Sequence, residues 1–158
     1  MGYGYAVYQN GRQIASGHGA INPLSHVFDA EAIGAWKALQ HTLRLPPDIS
    51  QRRLWLCIDS TSVIWCLRGD APCSSQWAFI ACQEAMQCFD IRVRWSPSHT
   101  GIQGNEAADK LADLRVQDTC DISQASQPTA SGIRSVYRDL RMKAQQAWWT
   151  QRSTELST

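Results

Sequence analysis

The chain has 158 residues, of which 44% are apolar, with 15 Lys and Arg against 14 Asp and Glu. This length and composition fit one globular domain with an appendage, and they exclude both a second full domain and wholesale disorder. A net charge of +1 gives no overall electrostatic sign of nucleic-acid binding, so such binding would need a local basic patch.

No apolar run approaches the roughly 20 residues that span a bilayer, and the first residues lack the basic and apolar regions of a signal peptide. We therefore expect an intracellular protein without membrane contact, in either the cytoplasm or the nucleus. The six cysteines never occur in a C-x-x-C spacing, which makes a disulfide framework or a zinc site improbable. We expect buried, reduced thiols at Cys57, Cys66, Cys73, Cys82, Cys88 and Cys120.

The chain opens with a predicted β-hairpin. Residues 3 to 8 are rich in strand formers, Asn10-Gly11 is a strong turn signal, and residues 12 to 20 can return antiparallel. A helix is then predicted from Asp29 to Leu45, because its apolar residues recur at helical spacing until Pro46 ends the pattern.

The next segments alternate between strand and helix patterns. Leu54–Ile58 is a continuous apolar run, as expected for a strand buried on both faces of a parallel sheet, and Ser60 can cap a short helix after it. A second helix is predicted over residues 75 to 88, followed by an alternating, half-exposed strand at Ile91–Trp95. We assign three tryptophans to the core: Trp36, Trp55 and Trp65.

The last part of the chain divides into a helix, a linker and a tail. A loop from Ser96 precedes a helix predicted from Asn105 to Val116, and the alternation of elements up to residue 117 predicts an α/β domain. Residues 118–132 are rich in Ser, Gln, Thr and Ala and predict a linker. Residues 133–158 carry an apolar stripe beside basic residues, which predicts a basic amphipathic C-terminal helix.

Three carboxylates stand where α/β proteins build their sites. Asp59 ends a buried strand, Glu31 lies in the first turn of a predicted helix, and Asp109 lies on a helix after a Gly-rich loop. Each has a structural alternative, since acidic residues near helix starts are favourable without any function, and Asp29 could cap the same helix as Glu31. Together, clustered acidic oxygens are the hard ligands that magnesium or manganese prefers, and paired ions of this kind serve phosphodiester chemistry.

Two further polar residues lie beside these carboxylates in sequence. His99 lies in a loop between Pro97 and Gly101, where an imidazole can move a proton, although a loop histidine is usually only solvated. Asn105 and Asp109 are four residues apart and so share one helix face.

Three segments, in the same order along the chain, resemble the ribonuclease H domain of LINE-like, non-LTR retroelements. The most specific is W-S-P-S-H-T-G-I-Q-G-N-E-A-A-D from Trp95 to Asp109, which looks like that family's final strand, histidine loop and Asp-bearing helix. Phe28–Glu31 is similar to the family's Glu-bearing helix start, and Ile58–Ser60 to its Asp-Ser after a central strand. The resemblance covers about residues 1 to 117, and the tail is similar to the basic helix with paired tryptophans that often follows this domain.

The resemblance implies a ribonuclease H-like mixed sheet with flanking helices. It implies that Glu31, Asp59 and Asp109 are catalytic ligands of Mg²⁺ or Mn²⁺ and that His99 assists proton movement or product release. Ser60 and Asn105 would then lie at the substrate. The implied reaction is two-metal, endonucleolytic hydrolysis of the RNA strand of an RNA–DNA hybrid, recognised by shape and 2′-hydroxyls rather than by base sequence.

One part of the family pattern has no counterpart in this sequence. The family's first strand, which carries a T-D-G-S-like stretch and a fourth acid, would precede Gly2–Tyr5, so the resemblance implies an N-terminally truncated domain with impaired catalysis. Without that strand the sheet has two inner edges of unpaired backbone groups. Three arrangements would account for the missing strand: the chain is a cut-off fragment, another chain donates a strand or the protein assembles through the open edge, or the hairpin pairs directly with the parallel strands. Our hypothesis is that the two half-sheets pair directly or through self-association.

A second interpretation comes from a different functional class. The domain would be a catalytically inactive ribonuclease H-like module that binds nucleic acid or protein through Arg92, Arg94 and the basic tail. The alternative for the two arginines is a solvated strand face, which the alternation of the strand explains by itself. Steep salt dependence of binding would distinguish phosphate contacts from apolar docking.

Overall fold

A computed structural model of the chain describes residues 1–114 and 124–156. It has a mixed α/β fold with two small sheets, which confirms the expected class. The strands are β1 (Gly2–Gln9), β2 (Arg12–Ala20), β3 (Leu54–Ile58) and β4 (Ile91–Trp95). The helices are α1 (Val27–Thr42), α2 (Pro47–Ser50), α3 (Thr61–Arg68), α4 (Gln76–Cys88), α5 (Gln103–Asp113) and α6 (Ala130–Leu156). None of the described helices has the length and apolar character needed to cross a membrane.

β1 and β2 form the predicted antiparallel hairpin. Its turn residues have positive φ angles, 51° at Asn10 and 76° at Gly11, as in the primed turns that match the twist of paired strands. Tyr5 pairs with Gly17 across the ladder, and a side chain on that glycine would collide with the tyrosine ring. The glycine therefore leaves room for an aromatic ring to lie over its neighbouring strand.

β3 and β4 form a parallel pair in which Leu56 faces Val93. One face of this pair is buried, with Leu56 and Ile58 each 8% exposed. On the other face Trp55 is 58% exposed and Cys57 is also exposed. The prediction that Leu54–Ile58 is buried on both faces is therefore wrong, because the described elements cover only one side of this strand.

The described strands form two separate two-stranded sheets rather than a single mixed sheet. β1 pairs only with β2 and β3 only with β4 among the described residues, so direct pairing of the two half-sheets is not observed. β1 and β3 each keep one edge without a neighbouring strand in this part of the chain. Self-association through such an edge stays a prediction.

The main core lies between the β3–β4 sheet and helices α1, α3 and α4. Val63 and Leu67 of α3, capped by Ser60 as predicted, are 0% and 2% exposed, and Phe79 and Cys82 of α4 are fully buried. A second cluster joins Ile21, Ala30, Ile33 and Ala78 to Ala125. The two clusters meet along α1, which makes this helix the common support of both sheets.

Several aromatic and sulfur side chains lie elsewhere than predicted. Trp36 packs against the core as expected, but Trp55 and Trp65 are 58% and 73% exposed. Their assignment to the core is wrong, because each points away from the single layer of helices that covers the sheet. The five described cysteines are free, as predicted, but the prediction of burial is wrong for Cys57, Cys73 and Cys88, which are exposed. Cys120 lies outside the described residues.

α5 lies directly against β1. A Cβ atom added to Gly4 would collide with main-chain atoms of Ala108 and Ala112. Strand and helix therefore approach without a side chain between them, and glycine at this position sets the depth of α5. α5 ends at Asp113, earlier than the predicted Val116, which itself lies outside the described residues.

Asp29, in the first turn of α1, is fully buried and joins the starts of three helices. It accepts hydrogen bonds from the main-chain N–H of His26 and from the hydroxyls of Ser74, Ser75, Thr129 and Ser131. Burial by itself raises the pKa of Asp29, but these hydrogen bonds outweigh it and hold the pKa below its ordinary value. We call this set the Asp29 network; the expected capping of α1 is only one part of it.

The predicted linker contributes to that network. Residues 118–123 of it lie outside the described residues, whereas Gln124–Ser126 form a short 3-10 helix and Ala125 is 5% exposed. The main-chain N–H of Asn22 donates to the carbonyl of Ala125 at 3.1 Å. α6 begins at Ala130, three residues before the predicted start, and its first turn is attached to the body of the protein through Thr129 and Ser131.

Candidate active site

The three predicted carboxylates come from three separate elements. Glu31 lies in the second turn of α1, Asp59 follows the last residue of β3, and Asp109 lies in the middle of α5. The charge of Asp59 raises the pKa of both Glu31 and Asp109, and the charge of Asp109 also raises that of Glu31. The fold therefore brings all three within electrostatic reach of one another.

Glu31 is the most enclosed of the three. Burial is the main cause of its raised pKa, followed by the charges of Asp59 and Asp109, while a hydrogen bond from the Ser60 hydroxyl acts in the opposite direction. Its Oε2 atom is buried and has no hydrogen-bond partner in the part of the chain that the structure describes. A buried carboxylate oxygen without a partner is costly, so this atom is suited to accept a ligand that the protein itself does not provide.

Two neighbours fix the surroundings of Asp59. The Asn105 side-chain amide donates to its Oδ2 at 3.5 Å, and the Trp95 indole donates to its main-chain oxygen at 3.0 Å. The spacing of Asn105 from Asp109 predicted that Asn105 would lie at this site, but no sequence pattern predicted a role for Trp95. The parallel register, which pairs Ile58 with Trp95, is the signal that brings this indole to the end of β3.

His99 lies beside Asp109. Its Nδ1 is 4.0 Å from Asp109 Oδ2, and the two side chains are 84% and 45% exposed. Burial and the charge of Asp59 raise the pKa of Asp109, and the charge on His99 lowers it. His99 has a φ of 54°, so the loop turns through a left-handed residue two positions before Gly101, which also has a positive φ.

Ser60 has two structural contacts. Its oxygen accepts from the N–H of Val63 at 3.4 Å, which caps α3, and its hydroxyl bonds to Glu31. These contacts account for a serine at this position without a substrate. They also connect the end of β3 to Glu31.

The three carboxylates have the right chemistry to bind a divalent cation, but they are not close enough together to do so in this structure. Their oxygens are hard ligands, and the unpartnered Glu31 Oε2 is the kind of atom that Mg²⁺ or Mn²⁺ would satisfy. Among the described residues, however, no three His, Cys, Asp or Glu side chains are grouped closely enough to hold a metal ion. The three carboxylates thus form a loose acidic site whose mutual repulsion a cation would relieve.

Comparison with known proteins does not identify the chain. It matches no family model and no curated protein. Its function is therefore inferred from the carboxylates and their surroundings.

Proposed function

We propose that the protein is a ribonuclease H-like nuclease of low activity that hydrolyses the RNA strand of RNA–DNA hybrids. The observation that carries the proposal is the convergence of Glu31, Asp59 and Asp109, in which burial and the charge of Asp59 raise the pKa values of Glu31 and Asp109, together with the buried Oε2 of Glu31 that has no partner among the described residues. Acidic side chains from three elements rarely converge without a ligand, because each raises the cost of ionising the others. The order of hairpin, helix, strand, helices, strand and helix supports a ribonuclease H-like arrangement.

Glu31, Asp59 and Asp109 are not grouped closely enough in this structure to hold an ion, so they would have to approach one another to bind Mg²⁺ or Mn²⁺, which when bound supplies Lewis-acid activation of water and of the phosphodiester. The chain's own contribution is to orient these ligands. The Ser60 hydroxyl holds Glu31, and the Asn105 amide restrains Asp59. Because two of the three acids have raised pKa values, we expect cation binding to strengthen with pH as their protons leave.

His99 is suited to move a proton at the edge of the site. Its ring is 84% exposed and 4.0 Å from Asp109, so it can exchange a proton with water and reach a leaving oxygen. A His99→Gln variant should therefore lower kcat more than it changes hybrid binding.

The decisive test is cleavage of a labelled RNA–DNA hybrid with Mg²⁺ and then Mn²⁺. Asp109→Asn should abolish any cleavage, since it removes one acid of the site without changing side-chain size. Asp113→Asn is the matched control, because Asp113 is exposed on the same helix, and it should keep the activity. Equal cleavage by both variants would contradict the proposed site.

A further arm asks whether the site needs a fourth carboxylate. A chain extended at its amino end by a strand containing T-D-G-S would offer both an additional acid and a neighbour for the open edges. Cleavage that appears only in this version would show that three acids are insufficient. Cleavage in none of the versions would exclude the nuclease.

The second candidate is nucleic-acid binding without cleavage. It is favoured by the open face of the β3–β4 sheet, where Trp55 is 58% exposed and pairs across the ladder with the exposed Arg92, while the exposed Arg94 pairs with Cys57. An exposed indole can stack on bases and arginines can contact phosphate. Binding that weakens steeply between 50 and 200 mM salt, as phosphate contacts do, and that Trp55→Ala and Arg94→Ala reduce would support this function.

A further inference from the structure

α6 extends away from the rest of the protein. Near its start, the Ser135 hydroxyl and His26 Nε2 are joined by a hydrogen bond of 3.1 Å. Every residue from Val136 to Ser153 is exposed. In proteins most of the stability of a helix comes from packing of its apolar face rather than from its own hydrogen bonds.

α6 has such an apolar face. Residues 133, 137, 140, 144 and 147 alternate in steps of four and three, the spacing of a coiled-coil contact. We call Ile133, Tyr137, Leu140, Ala144 and Ala147 the α6 seam; Val136 and Trp148 border it. Tyr137 and Leu140 are 68% and 60% exposed. The large side chains of this face present on the order of 500 Å² of apolar surface to water, more than the ~400 Å² per partner of most crystal contacts.

We propose that the α6 seam packs against the seam of a second copy of this chain, with the two helices antiparallel. The sizes of the side chains favour this direction. Ile133, Tyr137 and Leu140 are large, whereas Ala144 and Ala147 are small. Antiparallel helices place Tyr137 against the partner's Ala147 and Leu140 against the partner's Ala144, so that large residues fill the space beside small ones.

Parallel helices would place each residue against its own copy. Tyr137 would then meet the same residue of the other chain, and the paired alanines would leave a gap. Such an arrangement combines overpacking at one end with a cavity at the other, and both are destabilising.

The charges of α6 favour the same direction. Its first half, residues 130–143, has four basic residues against one acid, a net charge of +3. Its second half, residues 144–156, has one of each sign and is neutral. Antiparallel packing sets the basic half of one helix beside the neutral half of the other, whereas parallel packing would bring the two basic halves together.

The oligomeric state of the full chain tests the proposal. Sedimentation equilibrium at up to 100 µM should give a mass near twice 17.7 kDa. Leu140→Glu should weaken association about 100-fold or more, as charge does at the centre of an apolar contact. Met142→Glu is the matched control, because Met142 is 62% exposed on the opposite side of the helix, and it should remain dimeric.

A size exchange tests the direction. Tyr137→Ala should weaken the dimer, and the double variant Tyr137→Ala with Ala147→Tyr should restore it, because the two positions meet between antiparallel chains. No restoration would overturn the antiparallel arrangement. A monomeric wild-type chain at 100 µM, whether its seam folds onto its own domain or awaits nucleic acid, would overturn the proposal, as would equal effects of the two glutamate variants.

Discussion

Replacement of Asp29 by Asn should destabilise the protein more than any other change of one charged side chain to a neutral one of the same size. The carboxylate is fully buried and accepts five hydrogen bonds, two at Oδ1 and three at Oδ2. An amide keeps one accepting oxygen and turns the other position into a donor facing hydroxyls. Hydrogen bonds to a charged group are stronger than neutral ones by about 1 kcal/mol each. Since the bonds are coupled, we expect a loss of about 2–4 kcal/mol in the free energy of unfolding.

Thermal and urea unfolding followed by circular dichroism measure this loss. For a chain of this size, about 2–4 kcal/mol corresponds to a fall in Tm of roughly 5–12 °C. The control is Asp90→Asn. Asp90 also has a lowered pKa, through its hydrogen bonds to Arg53 and Arg92, but it lies at the surface, so its replacement should leave Tm nearly unchanged. Equal Tm values for wild type and Asp29→Asn would refute the reasoning.

The same variant should change the response to acid. Since the folded pKa of Asp29 is below its ordinary value of 3.8, its ionisation stabilises the fold fully above that pH. The stabilisation is lost as the pH falls towards the folded value. Asp29→Asn should therefore flatten the fall in stability below about pH 4, and an unchanged acid limb would contradict the role of the Asp29 network.

Three further changes test other features. Gly4→Ala should push α5 away from β1 and lower Tm. Gly104→Ala should be tolerated, because its added Cβ would lie 3.6 Å from its nearest neighbour. Equal Tm values for these two variants would contradict the close approach of α5 to β1. Glu31→Gln should raise Tm at pH 7, because burial and neighbouring charges raise the pKa of Glu31 in the folded protein above its ordinary value of 4.5. This gain in Tm should vanish below pH 4.5, where Glu31 is protonated in both the folded and the unfolded protein. Mg²⁺ should raise the Tm of the wild type but not that of the variant. A thiol reagent followed by mass spectrometry should leave Cys82 unmodified until unfolding, since burial raises its pKa to about 12, while the exposed thiols react first: Cys57, Cys73 and Cys88.

Local patterns predicted the elements of the fold well. Asn10-Gly11 defined the hairpin turn, Ser60 the start of α3, and the apolar run at Leu54–Ile58 a strand in a parallel pair. These features depend on residues that are neighbours in the chain, so their chemistry is visible in sequence. Burial was predicted less well. Trp55 and Trp65 are apolar in sequence, but their exposure depends on which side of a sheet or helix other elements happen to cover.

The candidate site was predictable in its members more than in its arrangement. The sequence predicted a shared site from Asp59 at a strand end, Glu31 near a helix start and Asp109 on a helix after a Gly-rich loop. The pKa values of Glu31 and Asp109, raised by burial and by the charge of Asp59, are consistent with that prediction. The spacing of the three carboxylates depends on the depth of α5 against Gly4, a packing detail that no local pattern encodes. The Asp29 network was missed for a similar reason, since its serine and threonine donors lie in two segments that are distant from Asp29 along the chain.

The Asp29 network also has a consequence for the order of folding. Its hydroxyl donors Ser74 and Ser75, just before α4, lie 45 and 46 residues from Asp29 along the chain. Those at the start of α6 lie 100 and 102 residues away. Because closing a longer loop costs more entropy, we expect α4 to dock on α1 first and α6 to arrive last. Refolding followed by pulsed hydrogen exchange should show protection near Ser131 as the final event.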